Sequence, residues 1–291
     1  MSWSRLIRFE DEDGKICFGE PDIQTSEELS APEDGLLYAY ELSGSSPFDL
    51  SPERGARKKV KSLQGILKPS DVPIIKCVGL NYIKHIKEGG RNPPPYPSIF
   101  IKPSACVASY NEDIPIPKLA QNDQCDYEGE LSIVIGKTGK NISKEDTLDY
   151  IAGYVSSNDV SARKWQRDPA FAGGVPQWCF SKGFDKYAPL GPMLVSPKVV
   201  GAADNLDLQT YVNGEIRQSS NTSDLLFGVR EIVSFISQGT TLEKGTVIMT
   251  GTPAGVAMGM KPEPKYLKDG DVVEVEIEQL GSTRNRMAFE K

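Results

Sequence analysis

The segment "DYEGELSIVIGK", residues 126–137, carries two superposed signals. Leu131, Ile133 and Ile135 recur with the two-residue period of a β-strand. Glu128 and Glu130 obey the same period on the opposite face, so both carboxylates project together. Two parallel carboxylates raise each other's pKa unless a cation lies between them. The plain alternative is a solvated acidic face. Glu274, Glu276 and Glu278 alternate in the same way with Val273, Val275 and Ile277, and there a half-buried strand is the simpler reading. Gly129 distinguishes the first segment, because a glycine in a strand admits close approach of a backbone or ligand.

Strand texture extends outward from this segment. "RLIRFEDEDGKICFGE" reads as a hairpin about an Asp-Gly turn, and "LDLQTYVNGEIRQ" as another about Asn213-Gly214. "TVIMTG" and "DVVEVEIEQLG" add two strands. Two helices are expected. One spans "SKEDTLDYIAG", with Ser143 as N-cap and Gly153 past its end. The other is "SDLLFGVREIVSFISQG", with Leu226, Val229, Val233 and Ile236 at helical spacing and Gly239 at the stop. The class is α+β and β-rich. Residues 1–70 are expected to form a small N-terminal domain, with "SGSSPFDLSPERGARKK" as a connector, and 71–291 the main domain.

Bulk properties exclude several functions. A net charge of −7 and the lack of a basic run suited to phosphates argue against nucleic acid. The basic cluster "RGARKKVK" at 54–61 is expected to be a solvated linker or helix face. No run of 18 apolar residues implies a membrane span, and the amino terminus turns acidic without a signal-like apolar segment. The five cysteines are scattered and form no C-x-x-C pair, which points to reduced thiols in a cytoplasmic-type compartment, with a mitochondrial one left open.

Further polar residues converge on the acidic pair. "GYVSSNDVSARKWQ" supplies a third acid, Asp159, at the end of a strand-like stretch. Three carboxylates from adjacent strands make half of an octahedral site, and oxygen ligands without Cys or His favour magnesium, manganese or calcium over zinc. Arg163 and Gln166 follow at helical spacing from Asp159. Arg163 suits a substrate carboxylate or, equally, a salt bridge to one of the acids. Lys182 lies in a Gly-rich turn, and Thr252 at the end of a buried strand. The lone histidine, His85, precedes Glu88 by three residues in "GLNYIKHIKEGG". On those residues alone it is a surface group or a catalytic one.

In order, "GLNYIKHIKE", "PSIFIKP", "DYEGELSIVIG", "NDVSARKWQ", "SKGFDKYAPLGP" and "TGTPAGV" resemble the fumarylacetoacetate hydrolase family. The nearer likeness is to its acylpyruvase-like and oxaloacetate-handling branch, including fungal members, over residues 73 to 290. The resemblance implies a β-sandwich-like roll, one divalent cation (Mg²⁺ or Mn²⁺) and a homodimer. It implies metal ligands at Glu128, Glu130 and Asp159, and a His85–Glu88 dyad on a lid stopped by Gly89 and Gly90. It implies substrate contacts at Lys182 and Thr252, and at Arg163 with Gln166. His85 is then the general base and Glu88 its orienter.

The expected substrate is a 2-keto acid or 1,3-dicarbonyl, the expected reaction hydrolysis of an acylpyruvate C–C bond. Oxaloacetate decarboxylation or keto–enol tautomerisation at the same site is the alternative; a non-catalytic scaffold is disfavoured by the His85–Glu88 pairing. "GGRNPPPYPSIF" and "RKWQRDPAFAGGVPQW" are longer than their counterparts in compact members, so the second loop is expected to shape the pocket and to admit a larger substrate.

Overall fold

In the computed structural model, which describes residues 2–29, 36–90 and 92–291, the strand Gly129–Ile135 is buried on both faces. It pairs antiparallel with Ile151–Asn158 on one side and Val247–Met249 on the other. These belong to a ten-stranded sheet. From Val247–Met249 the sheet continues through a parallel pairing with Ile75–Gly79 to the edge strand Ser98–Lys102. In the other direction Ile151–Asn158 meets Met193–Val195, which pairs with Arg5–Asp11.

The amino-terminal strands thus continue the main sheet. Arg5–Asp11 forms the expected hairpin with Ile16–Pro21 and also pairs with Arg57–Gln64. Tyr38–Leu42 closes the ring between Ile16–Pro21 and Arg57–Gln64. The basic cluster at 54–61, expected as linker or helix face, is therefore largely strand. Its charges are met by acids on neighbouring chain: Arg57 by Asp22, Lys58 by Asp11 and Lys61 by Glu10. Ser30 to Glu33 and the two residues after them, like Arg91 of the proline-rich stretch, lie outside the described residues.

A second, five-stranded sheet runs Glu215–Asn221, Asp207–Val212, Val272–Ile277, Gly281–Phe289, Ile114–Ile116. Its first two strands form the expected hairpin, with Asn213 and Gly214 at φ 52° and 81°, the paired left-handed conformations of a tight two-residue turn. Val273, Val275 and Ile277 face inward, and Glu274 and Glu276 occupy the outer face as the alternation predicts. Leu131, Ile133 and Ile135 share a core with Leu208, Ile277 and Val229, Ile232, Val233 and Ile236 of the helix Val229–Ile236.

Both helix expectations need correction. Residues 143–153 form only a 3₁₀ turn at Thr147–Tyr150, and Ile151 already begins a strand. Pairing of that strand on both sides outweighs the local helical signal. Gly153 is no helix stop: a side chain there would lie 2.9 Å from the Val195 carbonyl oxygen. The second helix starts after Gly228, and Leu226 instead donates its backbone N–H to Asn81 O at 2.7 Å. The five cysteines are free thiols, and no helix among the described residues is long and apolar enough to cross a membrane.

The second sheet packs tightly against Gly129. A Cβ there would sit 2.1 Å from Thr210 Oγ1 and 3.1 Å from both Gln218 Oε1 and Val275 Cγ1. The neighbour that requires glycine is thus the second sheet. Gly129→Ala should cost about 1–3 kcal/mol of stability in urea unfolding, the usual penalty for overpacking. Gly174→Ala, at a position with nothing within 4 Å, should stay within about 0.5 kcal/mol. Equal stability of the two variants would refute the close-approach assignment.

Candidate active site

Glu128 and Glu130 flank Gly129 and are 8% and 2% exposed, which rules out the solvated acidic face. Asp159, fully buried, lies just past the strand Ile151–Asn158, where its N–H donates to Glu128 O at 2.8 Å. One carboxylate oxygen from each of the three acids falls within 4.8 Å of the others. Strand pairing brings them together, since Gly129 stands opposite Asn158 in the register.

Buried cations surround this triad. Lys182 Nζ donates to Glu128 Oε2 at 2.7 Å and to Asp159 Oδ2 at 2.6 Å. Lys102 Nζ donates to Asp159 Oδ1 at 2.6 Å and to the Tyr187 carbonyl. Arg163 Nε donates to Asp126 Oδ2, and its Nη2 lies against Glu128 Oε1, both at 2.7 Å. Arg163 thus makes the salt bridge to the acids that its sequence position allows. Its Nη1 also donates to Gln166 Oε1 at 3.0 Å.

Charge balance within this group is uneven. Burial by itself would raise the Glu128 carboxyl, but Lys182 and Arg163 outweigh it and bring its pKa down to about 2. Burial opposes the charge on Lys182, yet Asp159 and Glu128 hold its pKa above the ordinary lysine value. Glu130 is the exception. Burial, then the negative charges of Asp159 and Glu128, push its carboxyl well above the usual range. No basic side chain among the described residues pairs with it, and its Oε2 accepts the Gly251 N–H at 2.7 Å. Four buried acids (Asp126, Glu128, Glu130, Asp159) thus face three buried bases (Lys102, Arg163, Lys182). A divalent cation among hard oxygen ligands would relieve that crowding, so the donor set fits such an ion.

Sequence reasoning missed Lys102 and Asp126. Lys102 lies in "PSIFIKP", where Phe100 and Lys102 point inward while Ile99 and Ile101 are exposed. The two-residue period does put Lys102 on the face of Phe100. Asp126, two residues before Glu128, accepts from Ala257 N at 2.8 Å and Met258 N at 3.1 Å besides Arg163. It anchors the arginine to the loop after Thr252.

His85 and Glu88 lie on the short helix Ile83–Glu88, with His85 Nδ1 3.3 Å from Glu88 Oε2. Gly90, at φ 63°, follows its end. The helix is docked through buried Ile86 and rooted at Asn81, which donates to Phe227 O and Thr250 O and accepts the Phe227 N–H. Leu80, at the exit of Ile75–Gly79, adopts φ 56°, a left-handed conformation that costs energy in a branched residue and clusters at functional sites. Thr252 Oγ1 donates to Gly129 O at 3.0 Å and accepts from Gln218 Nε2 at 2.8 Å. A cavity of about 150 Å³ is lined by His85, Glu128, Arg163, Gln166, Lys182 and Thr252. Glu88 stands beside that cavity through its contact with His85.

The fumarylacetoacetate (FAA) hydrolase C-terminal family matches residues 74–288. The caffeoylpyruvate hydrolase of Neonothopanus nambi is 39% identical over 300 residues, spanning 100% of this chain and 95% of that protein. The mitochondrial oxaloacetate tautomerase FAHD2A of Homo sapiens is 39% identical over 231 residues, 79% of this chain and 70% of that one. The crystal structure of 5-carboxymethyl-2-hydroxymuconate delta-isomerase from Mycobacterium smegmatis superposes with a TM-score of 0.76 at 32% identity, covering 99% of both chains. Strand-rich fold, ordered motifs and extent of similarity agree: this chain belongs to the fumarylacetoacetate hydrolase family of enzymes.

Proposed function

We propose that the protein hydrolyses the C–C bond of an acylpyruvate, with Glu128, Glu130 and Asp159 holding a divalent cation, magnesium or manganese. The observation that carries this reading is the single cavity that brings His85 together with Glu128, Lys182, Arg163, Gln166 and Thr252. The bound cation would supply positive charge toward the oxygens of the 2-keto acid.

The chain's own residues do the rest. Glu88 at His85 Nδ1 favours the tautomer that leaves Nε2 free to accept a proton. His85 takes a proton from water as its oxygen adds to the distal carbonyl carbon. The bond from that carbon to the methylene then breaks, leaving a carboxylic acid. The electron pair stays with the pyruvate fragment, which takes the proton at its methylene carbon. Lys182, kept charged by two carboxylates, stabilises the negative charge that develops on that fragment.

Similarity along the whole chain to a caffeoylpyruvate hydrolase favours this reaction. The likeness to an oxaloacetate tautomerase supports a second reading, in which the same site moves a proton in, or decarboxylates, oxaloacetate. Product analysis with acetylpyruvate and with oxaloacetate, each with and without Mg²⁺, separates the two. A homodimer belongs to the same proposal, because Ile99 and Ile101 stand 40% and 45% exposed on the edge strand Ser98–Lys102. A monomeric mass by light scattering would reject it.

His85→Ala should lower the hydrolytic kcat by roughly 10²–10⁴-fold, the usual contribution of a general base. Mg²⁺ binding by calorimetry should persist, and oxaloacetate decarboxylation should suffer less than hydrolysis. Full hydrolytic activity in this variant would remove His85 from the chemistry.

The acids should separate by charge partner. Asp159→Asn leaves Lys102 and Lys182 each short of a carboxylate and should cost about 3–5 kcal/mol, as breaking a buried pair does. Glu130→Gln removes an acid that no base balances, so the metal-free protein should be at least as stable as wild type. That variant should nevertheless lose Mg²⁺ binding and turnover. Wild-type Mg²⁺ affinity in Glu130→Gln would overturn the ligand assignment.

A further inference from the structure

The cavity lining is of two kinds: Glu128, Arg163, Gln166, Lys182 and Thr252 are charged or polar, and Val78, Leu80, Phe100, Pro176, Trp178 and Met258 are apolar. Trp178 is the largest group of the apolar lining, and it is held by construction. It opens the helix Trp178–Lys182, so it lies four residues, about one turn, before Lys182 on the same face. Its ring stands edge-on to Phe100, with centroids 5.3 Å apart at 88°. Phe100 in turn lies 5.3 Å beneath Lys182 Nζ. The indole also rests on Gly79, where a Cβ would lie 1.9 Å from Trp178 Cζ3. Gly79 has no positive φ to require glycine; the ring requires it.

We infer that Trp178 determines specificity. It forms an aromatic shelf for the acyl group of the substrate and selects acylpyruvates whose acyl carbon bears a planar aryl or conjugated group. The inference rests on the proposed acylpyruvate hydrolysis. With the keto-acid end held by the charged side chains, the remainder of the ligand is left to the apolar lining. A flat π-system on an indole face gains contact that a methyl group does not. Gly79 keeps the shelf seated, since any side chain there would displace it. Phe100 ties the shelf to the lysine, so the ring and the charge keep a fixed separation.

The test compares benzoylpyruvate with acetylpyruvate on the Mg²⁺-loaded enzyme. In Trp178→Leu the ratio of kcat/KM for benzoylpyruvate over acetylpyruvate should fall about tenfold or more, mainly through KM. Trp178→Phe, which keeps a ring, should retain most of the ratio. An unchanged ratio in Trp178→Leu would overturn the inference. Should that variant fail to fold, the decisive reading is fluorescence. Benzoylpyruvate should quench wild-type tryptophan emission more than it quenches Trp178→Phe, and equal quenching would sink the idea. Failure of the wild type to release acid from acetylpyruvate and benzoylpyruvate alike would instead count against the hydrolytic reading.

Discussion

Asp159 stands fully buried between two buried lysines, and the arrangement of the site follows from that one constraint. Its two oxygens accept from Lys102 and Lys182, each at 2.6 Å. An ionised group removed from water is tolerable only when such partners are in place. Lys102 comes from the edge strand Ser98–Lys102, Asp159 from the end of a central strand, and Lys182 from the helix Trp178–Lys182. The network therefore fixes the position of three separate elements. It also leaves a defined deficit: every buried acid near Asp159 has a basic partner except Glu130. The location of the deficit matters more than its size, because a cation bound there would meet a carboxyl that is not already committed to a lysine or arginine.

A second constraint holds the ligand strand against the other sheet. Gln218 accepts the Gly129 N–H at 2.9 Å and donates to Thr252 Oγ1 and Pro253 O. Thr252 returns its hydroxyl hydrogen to Gly129 O. The backbone between Glu128 and Glu130 is thus gripped on both its polar groups by side chains from the second sheet and the Thr252 loop. With the main chain locked, the two carboxylates would lose little further freedom on taking up an ion, as in a site organised before its ligand arrives. Thr252, whose hydroxyl donates and accepts within this grip, holds the strand that carries the acids.

Much of this was legible in the residues, where period and turn chemistry speak directly. The alternation in 126–137, the Asn213-Gly214 hairpin and the half-buried strand with Glu274 and Glu276 outward all follow local rules that the fold leaves intact. Local rules failed where pairing partners were distant. Residues 143–153 carry a helical signal, yet Ile151–Asn158 gains two strand neighbours that no local window contains. Lys102 was hidden by an inverted strand. Hydrophobic reasoning turns Ile99 and Ile101 inward, whereas burying Lys102 is favourable only because Asp159, far along the chain, is there to meet it. The pair Glu128 and Glu130 showed itself because its spacing is local. The pairing of Lys102 with Asp159 joins residues 57 apart and did not.

The same distinction between local and distant explains how the site accommodates the long loop between Gln166 and Gln177. Residues 167–176 leave the site after Gln166 and return at Gln177, where Gln177 N–H donates to Gln166 O at 2.9 Å. The excursion is closed at its base, so its length is felt at its tip and not at its stem. Arg163 and Gln166 precede the stem and Lys182 follows it, each fixed by its own buried partners. Pro176 and Trp178 bracket the returning end and belong to the apolar lining of the cavity. Changes in loop length or composition can therefore reshape that lining while the acids and bases keep their distances. A fold that holds its charges by long-range pairing and borders its pocket with a closed loop can vary what it binds without disturbing how it reacts.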